Sequence, residues 1–283
     1  MSAAVTAAWE FPPRLDTRMT VMSWNLWWRF GPWAQRQPAI AATLTRLGPD
    51  IVCLQEVWEE RDGPRQADQL AAGLGGYHVA HAAGLGVDLA TESLGNAILS
   101  RWPIRDHEAR PLPAPPGLDE LRVVLRADID GPRGPLEVFV THLNWRMDQS
   151  DVRQDQIRAI CEFVAETSDR RTYPPILTGD FNAEPDSDEI RLLTGLGAVP
   201  VPKLMFLDAW RTAGDGGPGY TWSNVNPFAT LDCEPDRRLD YVFVGYPRAH
   251  GAGQVLAARI EGTQLVDGIY PSDHYAILAE VRY

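Results

Sequence analysis

Ile176-Leu177-Thr178-Gly179-Asp180-Phe181-Asn182 decides how this chain is read. Its first half is an apolar run of strand type, and its second half stops that run on an acid and an amide with one aromatic between them. One such ending is ordinary, because Asp and Asn favour turns. The same event recurs along the sequence, however. Met22-Ser23-Trp24-Asn25 ends on Asn25, and Asp50-Ile51-Val52-Cys53-Leu54-Gln55-Glu56 ends on Gln55 and Glu56. Val138-Phe139-Val140-Thr141-His142-Leu143-Asn144 ends on His142 and Asn144. Arg238-Leu239-Asp240-Tyr241-Val242-Phe243-Val244 has its acid at the opening, and Ser272-Asp273-His274 stands just before a last strand. Six segments each bring Asn, Glu, His or Asp to a strand end, as an active site at one end of a sheet core requires.

Outward from these points, the apolar pattern predicts strands over 20–25, 51–55, 96–100, 121–128, 136–141, 175–178, 240–245 and 275–281. Helices are predicted over 35–47, 66–74, 151–167 and 187–196, the last opened by Ser187, whose side chain and the acids Asp188 and Glu189 suit free N–H groups. The Gly/Pro-rich stretches 110–117 and 214–219 are read as surface loops. Hairpin-like segments outnumber strand-helix-strand units, so packed sheets flanked by helices are expected rather than a doubly wound parallel sheet. With no shift in composition, residues 19–283 are expected to form a single domain, preceded by a poorly ordered extension over 1–18.

The 283 residues are 45% hydrophobic and 23% charged, an ordinary globular composition. Cys53, Cys161 and Cys233 are few, odd in number and far apart, against both a disulfide framework and a cysteine zinc site. Residues 1–18 lack the basic start and apolar centre of a secretory leader, and no run approaches the roughly 18 apolar residues of a membrane span. A soluble, cytoplasmic, monomeric protein is the expectation. The 26 basic and 38 acidic side chains give a net charge of -12, and Lys203 is the only lysine. Proteins that grip long nucleic acid by its phosphates usually show a basic stripe, and none is visible here.

The strand-end residues suit attack of water on phosphorus. Carboxylates such as Glu56 and Asp273 are hard oxygen donors for Mg2+ or Mn2+. Asp180 suits orienting and deprotonating the water, while Asn25, Asn182, His142 and His274 suit hydrogen bonds to oxygens that gain charge. Asp240 suits holding His274 in one tautomer and stabilising its imidazolium.

In order and spacing, Gly179-Asp180-Phe181-Asn182 and Ser272-Asp273-His274 resemble motifs of the endonuclease/exonuclease/phosphatase superfamily. Leu54-Gln55-Glu56-Val57, Gly95-Asn96-Ala97-Ile98-Leu99-Ser100-Arg101 and Arg238-Leu239-Asp240-Tyr241 support the resemblance, which runs over 19–283. It implies a four-layer αββα sandwich and a metal-dependent phosphoester hydrolase. It also implies Glu56 as principal metal ligand with Asn25 and Asp273, Asp180 on the nucleophilic water, Asn182 on the scissile phosphate, and His274 paired with Asp240. His142 matches the deoxyribonuclease, sphingomyelinase and inositol-phosphatase branches. Abasic-site endonucleases carry a tyrosine there and an acid at the position of Trp27.

Tryptophans crowd these segments. Trp27, Trp28 and Trp145 are the candidates for substrate contact, with Asn96 and Asn144 as polar partners. Arg29, Arg146, Arg153 and Arg238 are candidates for a second phosphate, although Arg153 and Gln156 read better as anchors of the helix they open. The acidity and aromatic rim favour a small or lipid-like organic phosphoester as substrate. A DNA or RNA nuclease is the alternative, and a non-catalytic binding protein on the same scaffold is the less favoured one.

Overall fold

The computed structural model describes residues 14–84, 92–115, 117, 122–168 and 173–283. The apolar alternation of Arg18–Asn25 forms β1, which crosses through α1 (Trp33–Leu47) to the parallel β2 (Ile51–Glu60). After α2 (Gln66–Gly73), β3 (His78–Ala83) and β4 (Glu92–Ser100) extend the same sheet. An antiparallel meander of β5 (Ile104–Pro111), β6 (Val123–Gly131) and β7 (Gly134–His142) starts a second sheet. There α3 (Ser150–Thr167) carries the chain to β8 (Ile176–Asp180), parallel to β7. The remainder supplies α4 (Asp188–Thr194), β9 (Phe206–Asp208), α5 (Ala209–Ala213), β10 (Asp240–Gly245), β11 (Val255–Glu261) and β12 (Ala276–Arg282).

The two six-stranded sheets have the orders β11-β12-β1-β2-β4-β3 and β5-β6-β7-β8-β10-β9. Each holds one parallel pair, bridged by a helix, among antiparallel neighbours. Val21, Ile51, Ile98 and Ile277 of the first sheet and Leu125, Val138, Ile176 and Val242 of the second belong to one buried layer between them. On the outer faces, Ile40, Leu44 and Leu70 seat α1 and α2 on the first sheet. Ile157, Ile160, Phe163 and Ile190 seat α3 and α4 on the second. This is the αββα sandwich of the mixed α/β (α+β) class, each helix burying one apolar face and each sheet both of its faces. Among the described residues no helix is long and apolar enough to cross a membrane.

The departures from expectation have physical causes. β3, β5 and β11 lie at or beside sheet edges, and β5 is exposed along most of its length, so they carry too little apolar alternation to be foreseen. β5 also claims Arg110 and Pro111 from the loop expected over 110–117. Ser187 does precede α4, but its hydroxyl turns back to the Glu184 carbonyl at 2.6 Å and caps no helix N–H. β1 begins at Arg18, and just before it the Leu15 N–H meets the His250 carbonyl at 3.1 Å while the Thr17 hydroxyl meets that of Tyr283. Residues 1–13 of the expected extension, and position 121 of an expected strand, lie outside the described residues.

Candidate active site

The C-terminal ends of β1, β7 and β8 and the start of β10 meet at one end of the sandwich. Register places His142 beside Asp180 and Asp180 opposite Asp240. Gly179 makes this possible: at φ +154° any Cβ would run into the Thr141 carbonyl of β7, so only glycine lets the two strands close. Glu56 is not at a strand end. It sits at φ +53° where the β2 register shifts between Leu54 and Val57, a bulge that re-aims its side chain while the strand continues. Asn182 also has positive φ, +49°, a conformation that non-glycine residues keep only where the surroundings impose it. The Asp273-His274 turn is pinned by the Ser272 hydroxyl, which donates to the Asn25 carbonyl at 2.7 Å, and by the Asn226 amide, which donates to the Ser272 carbonyl at 2.7 Å.

Within this cluster the Asn25 amide donates to Glu56 Oε1 at 3.2 Å and to Asp180 Oδ2 at 3.0 Å, while its oxygen accepts the Trp27 N–H at 2.9 Å. Asp180 Oδ1 accepts the Asn182 N–H at 2.9 Å. His142 Nε2 and His274 Nε2 lie 3.5 and 3.8 Å from Asp180 Oδ2, and His274 Nδ1 is 2.9 Å from Asp240 Oδ2. Burial works to raise the Asp180 carboxyl, but the histidines and the bonds from Asn25 and Asn182 outweigh it and hold the group below its usual range. Burial, aided by Arg122, pushes His142 down to about 3, so this ring is neutral at pH 7. The positive charge beside Asp180 is therefore that of His274, which Asp240, Asp180 and Asp273 hold well above its ordinary value against the cost of burial. The remaining acids go the other way. Burial raises Glu56, pushes Asp273 to about 7 with help from Glu56, and pushes Asp240 to about 6 against the pull of His274.

The donor set fits a hard divalent cation. Glu56 Oε2 is buried and makes no hydrogen bond among the described residues, which leaves a carboxylate oxygen short of a positive partner. Asp180, Asp240 and His274 also form a buried group whose ligand atoms lie within 4.8 Å of one another. In that trio His274 Nδ1 already meets Asp240 Oδ2, and Asp240 Oδ1 is a second buried carboxylate oxygen that makes no hydrogen bond among the described residues.

Above these groups opens a cavity of about 520 Å³ with Glu56, His142, Asp180, Asn182, Asp273 and His274 in its lining. Its walls include Trp27, Phe30, Trp145, Trp222 and the cations Arg122 and Arg237. Trp27 packs on Phe228 with ring centres 4.9 Å apart, and Trp145 is 51% exposed with the Arg146 guanidinium 4.9 Å from its ring. Trp28, Asn96 and Asn144 are not in the lining. The Trp28 indole donates to the Ser93 carbonyl at 3.1 Å, the Asn96 amide donates to the Val123 carbonyl at 3.1 Å, and the Asn144 oxygen accepts the Arg146 N–H at 3.1 Å. All three hold the frame around the cavity.

The arginines sort differently from the sequence reading. Arg29 lies over the Trp33 and Trp58 rings, Arg238 pairs with Asp208 at 2.8 Å, and Arg146 covers Trp145. Arg153 is an anchor, as expected: it pairs with Glu189 at 2.5 Å and donates to the Arg146 carbonyl at 2.6 Å, while Gln156 accepts the Asn144 N–H at 3.0 Å. The cavity cations, Arg122 and Arg237, were missed. Their signal was weak, for Arg237 adjoins Arg238 and sequence does not say which of the two faces inward. A third unforeseen residue is Arg36, fully buried in α1, whose guanidinium donates to the carbonyls of Leu26, Trp27, Trp28, Phe30 and Pro271 at 2.8 to 3.0 Å.

Acids, amides and histidines gathered at one end of two stacked sheets are the equipment of a phosphoester hydrolase. The sequence pattern of the Endonuclease/Exonuclease/phosphatase family matches residues 22–274. Protein angel of Drosophila melanogaster is 32% identical over 176 residues, 59% of this chain and 48% of that protein, so the match spans about half the relative's length. An endonuclease/exonuclease/phosphatase structure from Beutenbergia cavernae DSM 12333 is 28% identical with a TM-score of 0.71, covering 94% of this chain and 71% of that one. The D. rerio TDP2 structure complexed with a single strand DNA product shares the fold, with a TM-score of 0.73 at 22% identity over 94% of this chain and 99% of that one. The chain belongs to the endonuclease/exonuclease/phosphatase family, whose enzymes are divalent-metal-dependent hydrolases of phosphoesters.

Proposed function

We propose that the chain hydrolyses a phosphoester of a small or lipid-like organic group, with Mg2+ or Mn2+ held by Glu56 and Asp273 beside Asn25. The observation that carries this reading is the buried Glu56 Oε2, which makes no hydrogen bond among the described residues, in a cavity lined also by Asp273 and by an Asp180 held ionised. When bound, the ion supplies positive charge that draws the phosphate oxygens and offsets the charge they gain. Asp180 orients a water and takes its proton, and Asn25 keeps that carboxylate fixed relative to Glu56. His274, held as imidazolium by Asp240, stabilises charge on the phosphate, and Asn182 and neutral His142 add hydrogen bonds there.

A cavity of about 520 Å³ suits a small organic ligand, and its aromatic walls suit an apolar or planar leaving group. The acids Asp232 and Glu234 on the same wall, with a net charge of -12, favour such a substrate over a long polyanion. The second reading is hydrolysis at a nucleic-acid strand. The half-exposed Trp145 offers a stacking face for a base, and the TDP2 structure holds a single strand DNA product. Purified protein with Mg2+ or Mn2+ should be assayed on bis(p-nitrophenyl) phosphate, sphingomyelin, sugar and inositol phosphates, RNA and plasmid DNA. Turnover of the small or lipid esters is the expected result. Plasmid nicking without it would select the second reading, and no turnover of any ester would sink both.

A further inference from the structure

A second cavity, of about 450 Å³, lies behind the wall of the first. Arg237 and Leu239 line the catalytic cavity, whereas Arg238 between them lines the other; Asn182 lines the first, and Pro185 and Asp186 line the second. In a protein of net charge -12, this cavity gathers three arginines, Arg191 of α4, Arg211 of α5 and Arg238, against one acid, Asp186. Two of the three, Arg191 and Arg211, are lightly used by the fold. Arg238 has a side chain only 5% exposed, pairs with Asp208 at 2.8 Å and lies 4.7 Å from the centre of the Tyr241 ring, so it forms the fixed floor of the cavity. Arg211 has no side-chain ion pair among the described residues, and Arg191 meets only the Leu196 carbonyl at 3.4 Å and Asp188 at 3.9 Å.

The opposite wall is preformed. Trp210 donates its indole N–H to the Gly217 carbonyl at 2.9 Å, and a Cβ on Gly214 would come within 2.7 Å of the Trp210 carbonyl. The glycine loop therefore lies flat on the tryptophan, at a separation that larger residues forbid. Arginines lining one preformed cavity match the charge and the fork geometry of a phosphate.

We propose that this cavity binds a phosphate group, separately from the catalytic cavity. The group is either free phosphate or a further phosphate of a chain that also reaches the catalytic cavity. The proposal stands whether or not the hydrolase reading does, because its test needs no turnover. Inorganic phosphate is titrated calorimetrically into the wild type, His274→Ala, Asn182→Ala and the double variant Arg191→Ala/Arg211→Ala, with thermal melting as the check on folding. Phosphate binding should survive His274→Ala and Asn182→Ala and weaken at least about tenfold in the double variant, the scale of losing charge-assisted hydrogen bonds. Binding that is absent, that ignores the arginines, or that disappears with either catalytic-cavity variant would overturn it. A short single-strand oligonucleotide separates the sources. Parallel loss of its affinity in the double variant assigns the site to a phosphate of the same chain, and unchanged affinity assigns it to free phosphate.

Discussion

Glu56 and Asp273 beside the first sheet and Asp180 on the second meet in one site on opposite terms. The first sheet, with the turn before β12, delivers Glu56 and Asp273, whose carboxyls are buried and raised, Glu56 with an oxygen that bonds to nothing. The second delivers Asp180 at a buried strand end, but there the charge of His274 and hydrogen bonds from Asn25 and Asn182 hold the acid ionised. His274 comes from the first sheet and takes its carboxylate, Asp240, from the second. Position alone therefore does not set the role of an acid; the supply of donors around it does. On the proposed reading, one end of a sandwich thereby gains a group that seeks a cation and a group that accepts a proton, as chemistry near neutral pH requires.

The largest effect should follow from breaking the second sheet's side. Asp180→Asn removes the proposed base, and turnover should fall by about a thousandfold or more while the melting temperature and metal binding stay near wild type. Retained activity would refute the role. His274→Ala cuts the link between the sheets and should lower kcat at least about a hundredfold; a change confined to KM would speak against it. Glu56→Gln tests the first sheet. Because even indirect supports of a metal cost about 10- to 100-fold when lost, the Mg2+ concentration for half-maximal activity should rise at least about tenfold. The metal-free melting temperature should hold or increase, since a partnerless buried carboxyl is replaced by a neutral amide.

The smallest effect concerns pH. Asp273 has a folded-state value of about 7, above its unfolded one, so the metal-free fold binds more protons and loses stability as pH rises from about 4 to about 7. Asp273→Asn removes that loss. Melting curves should show the variant gaining on the wild type across this window, with the gain shrinking once Mg2+ is added. A pH-independent difference would contradict the shift.

The strand-end residues were legible because a packed sheet leaves little choice. Its interior positions are apolar, so Asn25, His142, Asp180 and Asp240 stood out where the apolar runs began or stopped. Glu56 was legible as a residue but not as a conformation, since a bulge in β2 depends on pairing with β4 that the sequence does not display. Trp28 is marked by its place next to Asn25, Asn144 as a strand end and Asn96 by the motif that carries the resemblance, yet their polar atoms turn to backbone carbonyls and amides. Arg122 and Arg237 escaped because the direction of an arginine beside a strand depends on neighbours far away in sequence. Edge strands such as β5 escaped because one partner and solvent on most sides impose little pattern.

Arg36 has a consequence for how such an enzyme can change. It fastens the backbone of the Leu26–Phe30 loop and of Pro271 from behind, without lining the cavity. The trace of this loop is thus held by Arg36 together with the Asn25 oxygen and the Glu56 carbonyl, which accept the Trp27 and Trp28 N–H groups, and its chemistry is set by the side chains that line the cavity. Preference for a new leaving group can be sought by exchanging Trp27 or Phe30 on an unchanged loop, a short path for laboratory evolution. Lysine at position 36 would close that path, because a single ammonium cannot span five carbonyls and the loop would be released.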